Sequence, residues 1–322
     1  LKDTVFQDTQ MINQGSDLFY IAAENILVEN CKFVNTQIQD GESIFNLLSQ
    51  KIAFMDNKFL NTKIPSGKGF FYISPYPFLK ATAALWITSN HFENVISGES
   101  AANVLFIRNS KIALIATDNM FIDTFTLSPV FYFENVTFID SLISGSTLQI
   151  TEQQGIGENF IYHTYSSSGD LNITNNIICY SKEHALSDTF VRSQDSPNLN
   201  LTISNLTWSE HSRRYAVRLA DFDSGHILIM NTVMENFALK EGGVVHVGST
   251  KSQAANVNLT LSNVTFKNIA LMDTESTGGL IGFTGSENSL IDPSRPWVLN
   301  LKNCSFLSIK NTGAVYINMP LQ

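Results

Sequence analysis

The sequence predicts an all-β fold, a single-stranded parallel β-helix with three short strands per coil and about 11 coils. Two observations point there. The first is composition: of 322 residues only 15% are charged, whereas 31 are Asn and 58 are Ser or Thr. Helix surfaces draw on Glu, Lys, Ala and Leu, so a surface made of Asn, Ser and Thr belongs to strands and bends. The second is an internal repeat. A small polar residue, two free positions, a large apolar residue, one free position and a second polar residue recur 11 times. The copies are Asp8-Met11-Asn13, Asn30-Phe33-Asn35, Asp56-Phe59-Asn61, Ser89-Phe92-Asn94, Asp118-Phe121-Asp123 and Asn135-Phe138-Asp140. They continue as Asn175-Ile178-Tyr180, Asn205-Trp208-Glu210, Asn231-Met234-Asn236, Asn263-Phe266-Asn268 and Asn303-Phe306-Ser308. The large residue advances by 17 to 40 positions, and the 17-residue step from Phe121 to Phe138 is short for a coil.

Each coil carries three elements. A small-residue turn leads a short apolar run, as in Gly41-Glu42-Ser43-Ile44-Phe45, Gly242-Gly243-Val244-Val245, Gly278-Gly279-Leu280-Ile281 and Gly313-Ala314-Val315-Tyr316. An alternating stretch follows: Ile26-Val28, Ile52-Phe54, Leu85-Ile87, Leu171-Ile173, Leu201-Ile203, Leu259-Leu261 and Leu299-Leu301. Period two over that length is a strand with one buried face. The third strand centres on the large apolar residue of the motif. Between the second and third strands the alternation Leu259, Leu261, Asn263 resumes three residues later at Phe266, so the chain bends at the polar residue. Asn tolerates the left-handed conformation of such a bend. Stacked coil on coil, these Asn amides are expected to form an internal ladder beside a column of Phe, Trp and Met. At a strand spacing of about 4.8 Å, the coils would make a rod roughly 50 Å long.

The three-strand coil, the Asn bends and the stacked aromatics resemble the right-handed parallel β-helix of the pectin-lyase-like superfamily. The Gly242-Gly243-Val244-Val245 and Gly278-Gly279-Leu280-Ile281 turns, alternating with Phe33-x-Asn35, Phe92-x-Asn94 and Phe266-x-Asn268, are similar to the GGxI and FxxN repeats of polymorphic outer-membrane proteins. The aromatic-to-Asn spacing is one residue shorter here. Similar repeats occur in large surface proteins of ciliates and other protists. The resemblance implies architecture over the whole of 1–322, read as one continuous domain and a segment of a longer chain. Enzymes of the superfamily cleave acidic polysaccharides. The Asn-Thr-Asp, Asp-Asp, Gly-His-Gly and Arg-Ile-Lys strings of its hydrolases do not occur in this sequence. No catalytic role carries over, and the reading leans away from an enzyme.

Charge and spacing narrow the function further. A net charge of −9 argues against a nucleic-acid partner. No apolar run reaches the roughly 18 residues of a membrane span. Cys31, Cys179 and Cys304 lie far apart without metal-ligand spacing, and Cys31 and Cys304 each follow an Asn, as equivalent buried repeat positions. The scattered His91, His163, His184 and His246 show no metal-binding spacing, with His246 read as an outward strand residue. No metal or other cofactor is expected. The densest ionisable cluster is His211, Arg213, Arg214, Arg218, Asp221, Asp223 and His226. Arg218, Asp221, Asp223 and His226 are its candidate acid–base set: an arginine for a carboxylate, two aspartates on one strand face and an imidazole. The same residues read more readily as one coil's solvated, salt-bridged face.

Three stretches are expected as outer loops: 62–80, 153–169 and 286–296. The first holds Tyr72 and Tyr76 in the aromatic segment Phe70 to Phe78, a candidate ligand contact. Seven N-x-S/T sequons occur. Asn172, Asn200 and Asn258 alternate against inward Ile173, Leu201 and Leu259 and are expected to face solvent and carry glycans. Asn135, Asn205, Asn263 and Asn303 are bend residues assigned to the internal ladder. Such a chain reads as an extracellular structural or adhesive surface protein, a glycosylated rod that meets itself or neighbouring domains through open ends. The alternatives are a polysaccharide lyase or hydrolase of the pectin-lyase-like type, and a carbohydrate-binding module with glycans as partners.

Overall fold

The computed structural model describes residues 1–11, 17–38, 42–64, 69–74, 82–97, 103–124, 129–150, 159–180, 187–211, 217–220, 224–239, 243–249, 256–271, 279–285, 297–311 and 315–318. Among them there are only strands, bends and turns, with no helix, and every strand pairing is parallel. The protein is a parallel β-solenoid.

Three ladders run its length. The first begins with Phe19–Ala22, Ser43–Leu48 and Gly69–Ile73, and ends with Val217–Ala220, Val245–Ser249, Ile281–Gly285 and Val315–Asn318. It holds the glycine-led runs. The second holds the alternating stretches, from Asn25–Glu29, Lys51–Met55 and Ala83–Thr88 to Leu199–Ser204 and Val298–Lys302. The third holds the motif's large residues. Its inward column is Phe6, Phe33, Phe59, Phe92, Phe121, Leu148, Ile178, Trp208, Met234, Phe266 and Phe306, each in register with the next.

Two motif copies are not on that column. Met11 pairs with Ile38 on a short side beyond the second bend, and the first coil's rung is Phe6. Phe138 pairs with Ile112, ahead of the second ladder, and Leu148 fills the rung between Phe121 and Ile178. Asn135 and Asp140 both have positive φ, so a second five-residue segment between two bends imitates the motif at another corner. With Leu148 restored, the 17-residue anomaly disappears.

The bends follow from residue type. Among the described residues, twenty-five non-glycine residues have positive φ, and every one of these is Asn, Asp or Ser. The first polar position of every motif copy is such a bend, and in most copies the second is too, for example Asn30 and Asn35 at φ 50° and 52°. Other L-residues pay about 1–2 kcal/mol there, whereas a short polar side chain bonds locally.

The bend side chains lie outside, not inside. Asn30, Asn135, Asn175, Asn205, Asn231, Asn263 and Asn303 are exposed. They bond across coils as exterior ladders: Asn205 Nδ2 donates to Asn175 Oδ1 at 2.9 Å and Asn263 Nδ2 to Asn231 Oδ1 at 3.1 Å. The internal amide ladder is one residue further on. Asn57, Asn90, Asn119 and Asn176 are 0–3% exposed. Asn57 Nδ2 donates to Val28 O at 2.9 Å and Asn90 Oδ1 at 3.0 Å, and Asn90 Nδ2 to Phe54 O at 3.0 Å and Asn119 Oδ1 at 3.1 Å. The backbone N–H groups of Cys31, Asn57 and Asn90 donate into the next coil's Oδ1. A left-handed bend turns its own side chain outward and the following one into the core, which the period-two count across the bend does not anticipate. Cys31 and Cys304 share this inner position; both are free thiols, Cys31 buried and Cys304 half-buried at the last coil.

Phe6, Phe33, Phe59, Phe92 and Phe121 stack at 4.8–5.0 Å between centroids. Where Leu148 and Ile178 replace Phe, a cavity of about 10 Å³ opens between Phe121, Phe131, Tyr162 and Phe190. The stretches read as outer loops are partly strand. Gly69–Ile73 crosses 62–80, with Phe70 and Phe71 fully buried, and Asn159–Tyr165 crosses 153–169. The stretch 286–296 lies outside the described residues.

Candidate functional site

The first ladder arranges its outward residues in one line. Between inward neighbours such as Phe71 and Ile73, Val191 and Ser193, or Val245 and Val247, one side chain per coil points away from the core. Read along the rod, the line is Tyr72, Phe106, Tyr132, His163, Arg192, Arg218 and His246, each the register partner of the next. All seven are half-buried.

The line has an aromatic half and a basic half. Tyr72 and Phe106 lie 5.4 Å apart; Phe106 stacks on Tyr132, and Tyr132 on His163, both at 5.0 Å. The ring faces are therefore spent on one another, and the strip presents ring edges outward. Edges carry the positive rim of the aromatic quadrupole. In the basic half, Arg192 Nη2 donates to Gln194 Oε1 at 2.9 Å. The ring of His246 lies over two glycines: a Cβ on Gly248 would meet His246 Cε1 at 2.9 Å and one on Gly282 would meet Cδ2 at 3.3 Å. Its Nε2 bonds Thr284 Oγ1 at 3.0 Å.

Burial, and then the neighbouring Arg192, push the pKa of His163 down to about 3. Burial, and then Arg218, push that of His246 down to about 4. Both rings are neutral at pH 7, and the two arginines carry the strip's positive charge. Burial raises the Tyr132 hydroxyl above its ordinary pKa. In the adjacent outward line, Arg108 pairs with Glu134 at 3.2 Å.

The residues proposed from sequence separate. Tyr72, taken as a loop contact, is a strand residue and shares the line with Arg218, His163 and His246. Those four come from three unrelated sequence contexts, and aligning the glycine-led strands coil by coil is the step that collects them. His246 is an outward strand residue, as its apolar neighbours indicated. His226 is exposed and begins the second ladder, apart from Arg218. Asp221, Asp223, Arg213, Arg214 and Tyr76 lie outside the described residues, as does the side chain of His211. Among the sequons, Asn200 is exposed, Asn172 and Asn258 are half-buried, and Asn135, Asn205, Asn263 and Asn303 are exposed. Among the described residues no group of three His, Cys, Asp or Glu is placed to hold a metal ion, and no helix is long and apolar enough to cross a membrane.

The class of the molecule is thus a parallel β-solenoid with an aromatic–basic line on one face. No protein-family model, no curated protein and no solved structure matches the chain.

Proposed function

We propose that the chain is a rigid rod of a structural or adhesive surface protein, its coils right-handed and pectin-lyase-like, with the outward line of the first ladder as its contact strip. The observation that carries this is the unbroken inner column from Phe6 to Phe306, in register through every coil. A core without interruption gives a stiff body with flat sides, suited to spanning distance and presenting a linear surface. The low charged fraction and the exterior Asn ladders suit a hydrated extracellular surface with N-glycans, and the now exposed Asn135, Asn205, Asn263 and Asn303 join Asn200 as candidate acceptors. Glycopeptide mapping of material secreted by a eukaryotic cell tests that ranking. Electron microscopy of the native material tests the rod itself, alongside an assay for polyuronate cleavage. Straight particles that associate into fibres or coats, without cleavage products, support the reading. Isolated particles that cleave polyuronate, with activity lost in Asp221→Ala and Asp223→Ala, overturn it in favour of the enzyme.

A further inference from the structure

We infer that two copies of the chain pair side by side, antiparallel, through the N-terminal half of the second ladder. The outward residues of that ladder form one apolar line there: Leu27, Ala53, Trp86, Ile115 and Leu142, each the register partner of the next. Leu27 and Ile115 are exposed at 44% and 38%, and Ala53, Trp86 and Leu142 are half-buried. Apolar side chains exposed singly need no explanation, whereas five in consecutive coils, centred on a tryptophan, mark a contact surface. Beyond Leu142 the same line turns polar, running Asn172, Thr202, Leu228, Thr260 and Asn300. The sequon residue Asn172 lies on it, and Asn200 and Asn258 sit two residues before Thr202 and Thr260 on the same face. By contrast, the third-ladder line of Met120, Ile177 and Val233 is interrupted by Thr147 and Thr207.

The order of residues along the line selects a second copy as the occupant. Packed face to face with the rods antiparallel, the line meets itself in reverse. Leu27 then lies opposite the partner's Leu142, Ala53 opposite the partner's Ile115, and the two Trp86 rings meet at the two-fold axis. Ala53 leaves the space that the protruding Ile115 fills. Parallel rods would set Ile115 on Ile115 and Ala53 on Ala53, a collision beside a gap. The charges flanking the line are compatible with the antiparallel pair: Lys51 faces the partner's Ala113, and Glu29, held by Lys2 at 3.1 Å, faces the partner's Ser144. A longer overlap would lay apolar residues on Asn172 and the sequons beyond it, so the contact stops at five coils. Five coils at about 4.8 Å, and a width of about 13 Å across the strand, give roughly 300 Å² per copy. A standard interface buries about 800 Å² per partner, so this pair belongs with small, reversible contacts. It is lateral, and stands apart from the rod ends and from the outward line of the first ladder.

Sedimentation velocity of the full chain over a wide concentration range tests the pairing, and cysteine cross-linking tests its register. The wild type is expected to shift from monomer toward dimer as concentration rises, and to keep doing so at high salt because the contact is apolar. Ile115→Lys and Leu27→Lys are each expected to hold the chain monomeric, whereas Val233→Lys, on the third ladder, is expected to behave as wild type. All three positions are exposed, and cooperative thermal melting controls for folding. For the register, Ala53→Cys and Ile115→Cys chains are treated with a short bis-maleimide, separately and mixed. Packed sheet faces lie about 10 Å apart, within its reach, and untreated and wild-type samples give the background from the native thiols. The mixture is expected to yield severalfold more cross-linked dimer than either variant alone. A wild type that stays monomeric throughout, an equal loss in Val233→Lys, or Ile115→Cys cross-linking to itself as well as to Ala53→Cys would each overturn the proposal. So would association that survives Ile115→Lys, because end-to-end contacts would then account for it.

Discussion

The two halves of the rod solve the same corner differently. In the N-terminal half the inner position after the bend is Asn57, Asn90 and Asn119, a buried amide ladder beside five stacked Phe rings. In the C-terminal half the same position is Leu206, Thr232 and Val264, buried at 0–2%, beside Trp208, Met234 and Phe266. One half closes the corner with hydrogen bonds and the other with packing. Both halves share the strand-to-strand bond just past this corner, His91 N to Asn57 O at 2.8 Å in the first and Val233 N to Leu206 O at 3.1 Å in the second; in the first half Asn side chains add an acceptor for the corner N–H groups of Cys31, Asn57 and Asn90. Directional bonding fixes the coil register of the first half, and volume fills the second.

The largest contrast should come from that column. Asn90→Leu strands the Asn57 amide and the carbonyl of Phe54 together, and each buried unsatisfied group costs about 1–3 kcal/mol, so a loss of roughly 3–5 kcal/mol is expected. Thr232→Val, whose hydroxyl bonds only Met230 O among the described contacts, should cost about 1 kcal/mol. Equilibrium denaturation of both variants, with equal losses, would erase the distinction between the halves.

A second contrast uses the junction between them. Leu148→Phe restores the aromatic column where the cavity has room, and should stay within about 1 kcal/mol of wild type. Leu259→Phe adds the same ring where the core is full, and should cost roughly 1–3 kcal/mol.

Acid sharpens the comparison along the outward line. His163 and His246 stay neutral in the folded chain to about pH 3 and 4, whereas in the unfolded chain they protonate near 6.5. Below 6.5 the unfolded chain binds more protons, so their contribution is complete above that pH and is lost as pH falls toward 4. Between pH 7 and 5 the loss is roughly 1–2 kcal/mol per ring. His163→Phe, which keeps the stack on Tyr132, should remove one ring's share, read as a flatter stability–pH curve. The smallest effect belongs to the exterior: Asn263→Gly keeps the bend at φ 54° and gives up one exposed amide bond, for a few tenths of a kcal/mol.

Much of this was legible in the sequence, and the misreadings have physical causes. The alternation of Leu259 and Leu261 and the recurrence of Phe33, Phe59 and Phe92 identify the solenoid, because core periodicity is local. The inside–outside assignment at the bend was not legible, because a left-handed residue resets the alternation by one. That reset put the bend Asn residues inside and left Asn57, Asn90 and Asn119 unnoticed. Met11 and Phe138 passed as column members because the motif reports two bends five residues apart, whichever corner they turn. The outward line stayed hidden because neighbours such as His163 and Arg192 are 29 residues apart and share no motif.

Hydrogen exchange at the backbone amides of Cys31, Asn57 and Asn90 tests the buried amide ladder most directly. These N–H groups donate to side-chain oxygens of the next coil at 2.9–3.1 Å, so they should be protected as strongly as the adjoining strand amides. Exchange at the rate of exposed turns, with protection confined to the strands, would contradict it.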